Sequence, residues 1–189
     1  MIELSRGEEL VLATEEGAAV THLRMGLGWD KSRNAGAAGS GLPDIDLDAS
    51  AVQFTGDQLF DLAFYNNLRT RDGSVVHLGD NLTGRGDGDD EVVTVDLGRV
   101  HPPVDRIVLL VSSYQGHSLE WIGHAYCRLV DDDSDVELAR ISLTGGVPET
   151  GVVMAVLARD PEGWRVRAVG AGIAATVPSQ ATAKLRPFL

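Results

Sequence analysis

The chain has 189 residues, and 43% of them are hydrophobic, which suits one domain of ordinary size with a complete core. Its 28 acidic residues outnumber its 16 basic residues, and the formal net charge is −12. A charge of this sign repels duplex nucleic acid and anionic membrane surfaces, and no basic run interleaved with aromatic residues opposes that effect. The composition therefore excludes nucleic acid as a partner.

Sequence signals for location and redox chemistry are simple. The first residues, MIELSRGEELVL, lack the basic segment and long apolar run of a secretory signal, and no stretch reaches the length of a transmembrane helix. We therefore predict a soluble cytoplasmic protein with no membrane insertion. Cys127 is the only cysteine, which excludes an intramolecular disulfide and argues against a thiolate zinc site. Its place in an alternating apolar run predicts a buried core thiol.

Strand patterns dominate the chain. Apolar and polar residues alternate with the period of half-buried strands in Phe60–Phe64, Val93–Leu97, Ala125–Leu129 and Trp164–Ala168. The continuous apolar runs Ile107–Val111 and Val152–Ala158 predict strands that are buried on both faces. The best helix candidate is short, around Ser118–Ile122, and the tail Thr176–Leu189 has no clear pattern. Many strands separated by Gly, Asp and Pro clusters predict an all-β fold, a β-sandwich with short helical segments.

The segment Gly79–Glu91, GDNLTGRGDGDDE, is the least ordinary part of the sequence. It places five carboxylates and four glycines on one loop, where the charges repel one another and the glycines lose much conformational entropy on folding. It does not match a phosphate-binding P-loop, because Arg85 and Gly86 stand where Lys and Ser or Thr are required. It does not match an EF-hand either, because Leu82 and Gly84 replace oxygen ligands.

Metal coordination by oxygen atoms explains the composition of this loop better than a P-loop or an EF-hand does. Clustered carboxylates are hard donors, and the glycines allow backbone carbonyls to turn inward, a combination that suits the six to eight oxygens that calcium prefers. Magnesium requires a stricter octahedron, and zinc prefers His or Cys. A second acidic segment contains Asp46 and Asp48, which point to the same side if that segment is extended. The alternative is two unrelated solvated turns, since Asp and Gly are common in turns, and for Asp44 we prefer that interpretation.

Several collinear motifs carry a family resemblance. They are Gly26–Asp30, Asp46–Ala51, Phe64–Asn67, Asp72–Val75, Gly79–Glu91 and Trp164–Gly172. In order and spacing they resemble the TerD family of tellurium-resistance and stress proteins, from about residue 1 to residue 175. The resemblance implies one TerD-like β-sandwich domain over residues 1–175, followed by a tail of unassigned structure over residues 176–189.

The resemblance also implies two acidic loops that bind Ca²⁺ between them. Eight residues fall on the family's acidic motifs and are the predicted metal ligands: Asp46, Asp48, Asp80, Asn81, Gly84, Gly88, Asp89 and Glu91. Among them Asp80, Asp89 and Glu91 would act through side chains. Gly84 and Gly88 would act through carbonyls, and Asn81 through either. Arg85 interrupts the acidic run, so the predicted affinity is lower than that of a loop with an acid there.

Three functions remain open at this stage. The first is a non-enzymatic, calcium-binding stress-response protein that acts with protein partners in a larger assembly, as the resemblance implies. The second is a calcium-dependent binder of a small anionic or polyhydroxy ligand. The third is a metal-assisted hydrolase, which is the weakest because no His, Lys or Tyr is tied to the loops as a proton-transfer group. We predict no enzymatic activity and no catalytic residues, because no Gly-x-Ser-x-Gly or His-Glu-x-x-His motif occurs.

Overall fold

A computed structural model describes residues 2–29, 46–79, 88–122, 125–143 and 146–189. Within these ranges the strands are β1 (Ile2–Glu3), β2 (Glu9–Val11), β3 (His22–Trp29), β4 (Asp48–Thr55), β5 (Gln58–Ala63), β6 (Val75–His77), β7 (Glu91–Asp96), β8 (Arg106–Ser112), β9 (Ala125–Asp131), β10 (Val136–Leu143), β11 (Gly151–Asp160) and β12 (Gly163–Ile173). The helices are α1 (Pro178–Leu185) and two 3₁₀ turns, Leu119–Trp121 and Arg186–Phe188.

These strands form two six-stranded sheets. Sheet A has the order β1-β10-β9-β3-β7-β6, and sheet B has the order β2-β12-β11-β8-β4-β5. Neighbouring strands are antiparallel except for β1, which pairs in parallel with β10. The predicted all-β sandwich is therefore confirmed, and the first 3₁₀ turn lies inside the segment predicted to be helical.

The main core fills the space between the two sheets. On sheet A the inward residues of β3, Leu23, Met25 and Leu27, are buried, as two-residue alternation requires. Cys127 of β9 joins this core with no exposed surface, which confirms the predicted buried thiol. Burial disfavours the thiolate and raises the pKa of Cys127 to about 12.

A second apolar layer covers the outer face of sheet B. Val108 and Leu110 of β8 are fully buried on this face, beneath Ala181 and Leu185 of α1. Strand β8 is thus apolar on both faces because one face meets sheet A and the other meets this layer. The sequence pattern predicts no structure for the tail, but Pro178 begins a helix there and supplies the fixed backbone angle of a first turn.

No helix in the described part of the chain is long and apolar enough to cross a membrane.

The helix–sheet layer gives a stability prediction. Leu185→Ala should lower the free energy of unfolding by about 2–5 kcal/mol, because it removes a fully buried side chain and leaves a cavity against sheet B. Ser179→Ala changes an exposed residue of the same helix and serves as the control. Denaturant unfolding of both variants checks this expectation, and equal stabilities would show that α1 does not contribute to the folded core.

The buried thiol gives a reactivity prediction. Native protein at pH 8 should react with a thiol reagent far more slowly than protein unfolded in denaturant, because the thiolate is the reactive form and Cys127 keeps its proton. The measurement is the release of a coloured thiol product with time. A native rate equal to the unfolded rate would contradict the burial.

Cys127→Ser should leave metal affinity unchanged.

Candidate metal centre

Two acidic segments meet at one end of the sandwich. Asp46 precedes β4, Asp48 is its first residue, and Glu91 is the first residue of β7 in the opposite sheet. Three other predicted ligands, Asp80, Asn81 and Gly84, lie outside the described residues. The described structure therefore shows where the two segments meet, and the ligand set stays a prediction.

Glu91 joins the two segments directly. Its side chain is fully buried, and Oε2 accepts a hydrogen bond of 2.5 Å from the backbone amide of Ala49. The Nε2 atom of His77, also fully buried, lies 3.5 Å from the same oxygen. Because His77 Nδ1 accepts a hydrogen bond from the Gly79 amide at 3.1 Å, the N–H of the ring is on Nε2, the nitrogen that faces Glu91. A carboxylate of sheet A is thus anchored on the backbone of sheet B.

Asp48 adds a second buried carboxylate beside this contact. It is 4% exposed, and Oδ2 accepts a hydrogen bond from the Tyr114 amide at 3.1 Å. The Glu91 carboxylate bonds the backbone of the next residue, Ala49, so the two segments that carry these predicted ligands meet here. Asp46, half-buried, is two residues before Asp48 along the chain. All three supply hard oxygen atoms, the donor type that calcium prefers, so the donor chemistry of the described residues fits the ion.

Two other predicted ligands are engaged by the outer face of sheet A. Oδ1 of Asp89 accepts a hydrogen bond from Arg128 Nε at 2.6 Å, and its side chain is 6% exposed. This carboxylate lies across Gly26, where an added Cβ would be 2.0 Å from Oδ2. The carbonyl oxygen of Gly88 accepts a hydrogen bond of 3.1 Å from the hydroxyl of Tyr126. The geometry gives Asp89 and Gly88 protein partners that the sequence did not reveal.

The described residues do not form a metal site by themselves. Among them, no group of three or more His, Cys, Asp or Glu side chains is arranged to hold a metal ion. Calcium would also need oxygen atoms from residues 80–87, where the sequence places further predicted ligands. The ligand set is therefore a proposal that combines this meeting point with the adjacent loop sequence.

Asp90 fixes the entry to β7. Its amide donates to the Leu27 carbonyl at 2.7 Å, and its Oδ2 accepts from the Trp29 amide at 3.2 Å. Both contacts tie the acidic segment to the end of β3, whose Trp29 is buried in the core. Sequence reasoning counted Asp90 among the oxygen donors and could not identify this structural role.

A separate polar cluster surrounds Asp72, which sequence reasoning placed only within a motif. Its carboxylate accepts hydrogen bonds from the Thr70 hydroxyl at 2.7 Å, from the Ser74 amide at 3.0 Å, and from the His101 amide at 3.0 Å. Gln53 Nε2 of β4 lies 3.3 Å from Oδ2. Burial raises the pKa of Asp72, but the amide and hydroxyl donors outweigh it and lower the pKa to about 2. The sequence Asp72-Gly73-Ser74, which is typical of a turn, was the signal that could have indicated this cluster.

Comparison with known proteins places this sequence in a family. The TerD domain model matches residues 1–183. The tellurium resistance protein TerZ of Serratia marcescens is 39% identical over 175 residues, covering 90% of this chain and 89% of that protein. The stress response protein SCP2 of Bacillus subtilis (strain 168) is 34% identical over 184 residues, covering 90% of this chain and 92% of that protein.

Structural comparison supports the same fold. A crystal structure of a homologue of the telluride resistance protein TerD from Streptomyces coelicolor A3(2) superposes with a TM-score of 0.67. The alignment covers 87% of this chain and 96% of that one, at 20% sequence identity. At this identity the likeness shows the sandwich architecture and carries no argument about ligands.

The Asp72 cluster predicts a pH dependence. Because its folded pKa lies below the ordinary value of 3.8, Asp72 contributes stability that is present above 3.8 and is lost as the pH falls towards about 2. Asp72→Asn should lower the free energy of unfolding at neutral pH by about 1–3 kcal/mol and flatten the acid dependence. Denaturant melts across this pH range test both effects. Asp57→Asn, in an exposed turn, is the control; an Asp72 variant that matched it would contradict the role of the cluster.

Proposed function

Because the chain belongs to the TerD family of tellurium-resistance and stress-response proteins, we propose that it binds calcium where β4 and β7 begin. In this proposal the protein is not an enzyme, and the ion organises a surface at one end of the sandwich. The cytoplasmic location and the protein partners predicted from the sequence belong to the same proposal.

One observation carries the proposal. The Glu91 carboxylate crosses from sheet A to the Ala49 amide of sheet B, and Ala49 follows the buried Asp48 in the chain. Each buried carboxylate at this end of the sandwich is costly to keep ionised, and acidic side chains gathered there repel one another. A divalent cation offsets this repulsion and connects segments that lie far apart in the sequence. Oxygen donors on a flexible, glycine-rich loop favour calcium over magnesium and zinc.

The contacts divide the predicted ligands into two groups. Asp46, Asp48 and Glu91 are the described residues that we assign to the ion, together with Asp80, Asn81 and Gly84 from the adjacent loop sequence. We assign Asp89 and Gly88 a supporting role, because Arg128 and Tyr126 already bond them. When bound, calcium would supply charge neutralisation and a cross-link between the loops. The side chains would hold the ion, and the packed core fixes the backbone positions from which these side chains extend.

A specific observation favours a second candidate function. Tyr114, whose amide bonds Asp48, leaves 60% of its surface exposed, and its ring packs edge-on against Tyr65 with a centroid distance of 5.7 Å. An aromatic face beside a calcium ion suits a polyhydroxy ligand, because ring and ion would bind its apolar face and its hydroxyls. Calcium-dependent binding of such a ligand is the alternative to a purely organising role for the metal.

Thermal melts test calcium binding. Calcium at a hundredfold excess over its dissociation constant should stabilise the native state by about 2.7 kcal/mol. For a domain of this size, that stabilisation raises the melting temperature by roughly 5–10 °C. Equal magnesium should raise it much less, because it keeps its waters and a strict octahedron. A melting temperature that does not respond to calcium, in protein first treated with chelator, would refute the proposed function.

Matched variants test the ligand assignment. Asp48→Asn should remove most of the calcium shift, because it deletes a charged ligand while its amide oxygen can still accept from Tyr114. Asp57→Asn, which removes the same charge from an exposed turn, should keep the shift. Asp89→Asn should also keep most of the shift but lower stability in chelator, since it weakens the contact with Arg128. If Asp89→Asn abolished the shift instead, its supporting role would be wrong.

A further inference from the structure

Strand β5 forms one edge of sheet B. In the described part of the chain its only strand partner is β4. The other side of an edge strand presents N–H and C=O groups that can pair with a further strand. Leu59 of β5 is 41% exposed, so an apolar side chain also lies at this edge. An edge of this kind favours self-association unless the protein covers it.

Side chains occupy backbone groups of β5 that a further strand would need. Asn67 Nδ2 donates to the Leu62 carbonyl oxygen at 2.7 Å, and Arg71 Nη2 donates to the Phe60 carbonyl oxygen. The Leu62 amide donates to Oδ1 of Asp61 at 2.9 Å. Two carbonyl groups and one amide of this strand are therefore already bonded by side chains.

The segment 64–71, here called the edge strap, brings the two donor side chains to β5. Phe64 and Asn67 exchange two backbone hydrogen bonds, of 3.1 Å and 2.9 Å, which turn the chain back towards the strand. In an antiparallel strand the outward backbone groups recur at every second residue, so those of Leu62 face the strap as those of Phe64 do. The strap therefore lies against the side of β5 that has no strand partner among the described residues.

Arg71 fastens the far end of the edge strap. Its amide donates to Oδ2 of Asp61 at 2.6 Å, and its Nε lies 3.4 Å from the same oxygen. Its guanidinium group also lies over the ring of Phe60, 4.5 Å from the ring centroid. The His77 amide of β6 donates to the Leu68 carbonyl oxygen at 2.8 Å, which ties the strap to the edge of sheet A. Both sheets therefore hold the strap in place.

We propose that the edge strap keeps β5 from pairing with β5 of a second copy of this chain. An edge strand carries donors and acceptors alike, so two identical edges can pair antiparallel about a twofold axis. Pairing centred on Leu62 would place Asp61 opposite Ala63, so the two Asp61 side chains would not face each other. Asn67 and Arg71 prevent this pairing because they hold the carbonyl oxygens that it needs. The strap does not need calcium, so this inference is independent of the proposed function.

Sedimentation velocity in chelator, over a range of protein concentrations, tests the edge strap. The double variant Asn67→Ala/Arg71→Ala should self-associate about tenfold more tightly than the unmodified protein, because it frees both carbonyl oxygens. The control Asn66→Ala/Arg69→Ala truncates exposed side chains of the same two types in the same segment, and it should behave as the unmodified protein does. Circular dichroism checks that each variant keeps its sheets.

Hydrogen exchange at single-amide resolution locates the contact between copies. In the double variant the Leu62 amide should exchange more slowly at high protein concentration than at low concentration, because pairing engages its N–H. Association without this slowing would overturn the proposal, since the contact would then lie elsewhere. Association equal to that of the unmodified protein would overturn it as well. If the double variant does not fold, Asn67→Ala replaces it, with Asn66→Ala as the matched control.

Discussion

The buried carboxylate of Glu91 is the constraint on which the candidate metal centre depends. A carboxyl side chain without solvent is costly unless it is hydrogen-bonded, and this one accepts a short bond from the Ala49 amide with the His77 ring beside it. The bond crosses between the sheets, so it fixes where β4 and β7 begin relative to each other. The geometry of the acidic end therefore follows from the packed core. In our proposal the acidic loop sequence adds metal ligands to a meeting point that the sheets have already set.

Much of the fold could be predicted because its strands carry strong patterns. The apolar run of β8 indicated burial on both faces, and both faces are buried. The sequence could not show that helix α1 covers the outer face of sheet B, because α1 buries only Pro178, Ala181 and Leu185 of its eight residues. Such a short pattern does not distinguish a helix from an irregular tail, and its stability comes from the sheet beneath it.

The candidate site was predictable in its residue types but not in all of its partners. Charge clustering and motif order pointed to Asp48 and Glu91, whose chain segments meet through the Glu91–Ala49 hydrogen bond. The pairing of Asp89 with Arg128 joins residues 39 positions apart and requires Gly26 to leave room for the carboxylate. A strand pattern tells which face a side chain occupies, but not which neighbour it meets across the sheet. Calcium binding itself remains a proposal from oxygen chemistry and family membership.

The pairing of the earliest strands has a consequence for how the protein forms during synthesis. Strand β2 occupies one edge of sheet B and pairs with β12, and its Glu9 meets Arg165 across 156 positions of sequence. Strand β1 similarly depends on β10. Contacts between such distant segments form slowly, because a long loop must close first. Strand β1 therefore has no partner until β10 has left the ribosome, and β2 has none until β12, the last strand, has followed. Until then the nascent chain must keep these two strands from pairing with other chains.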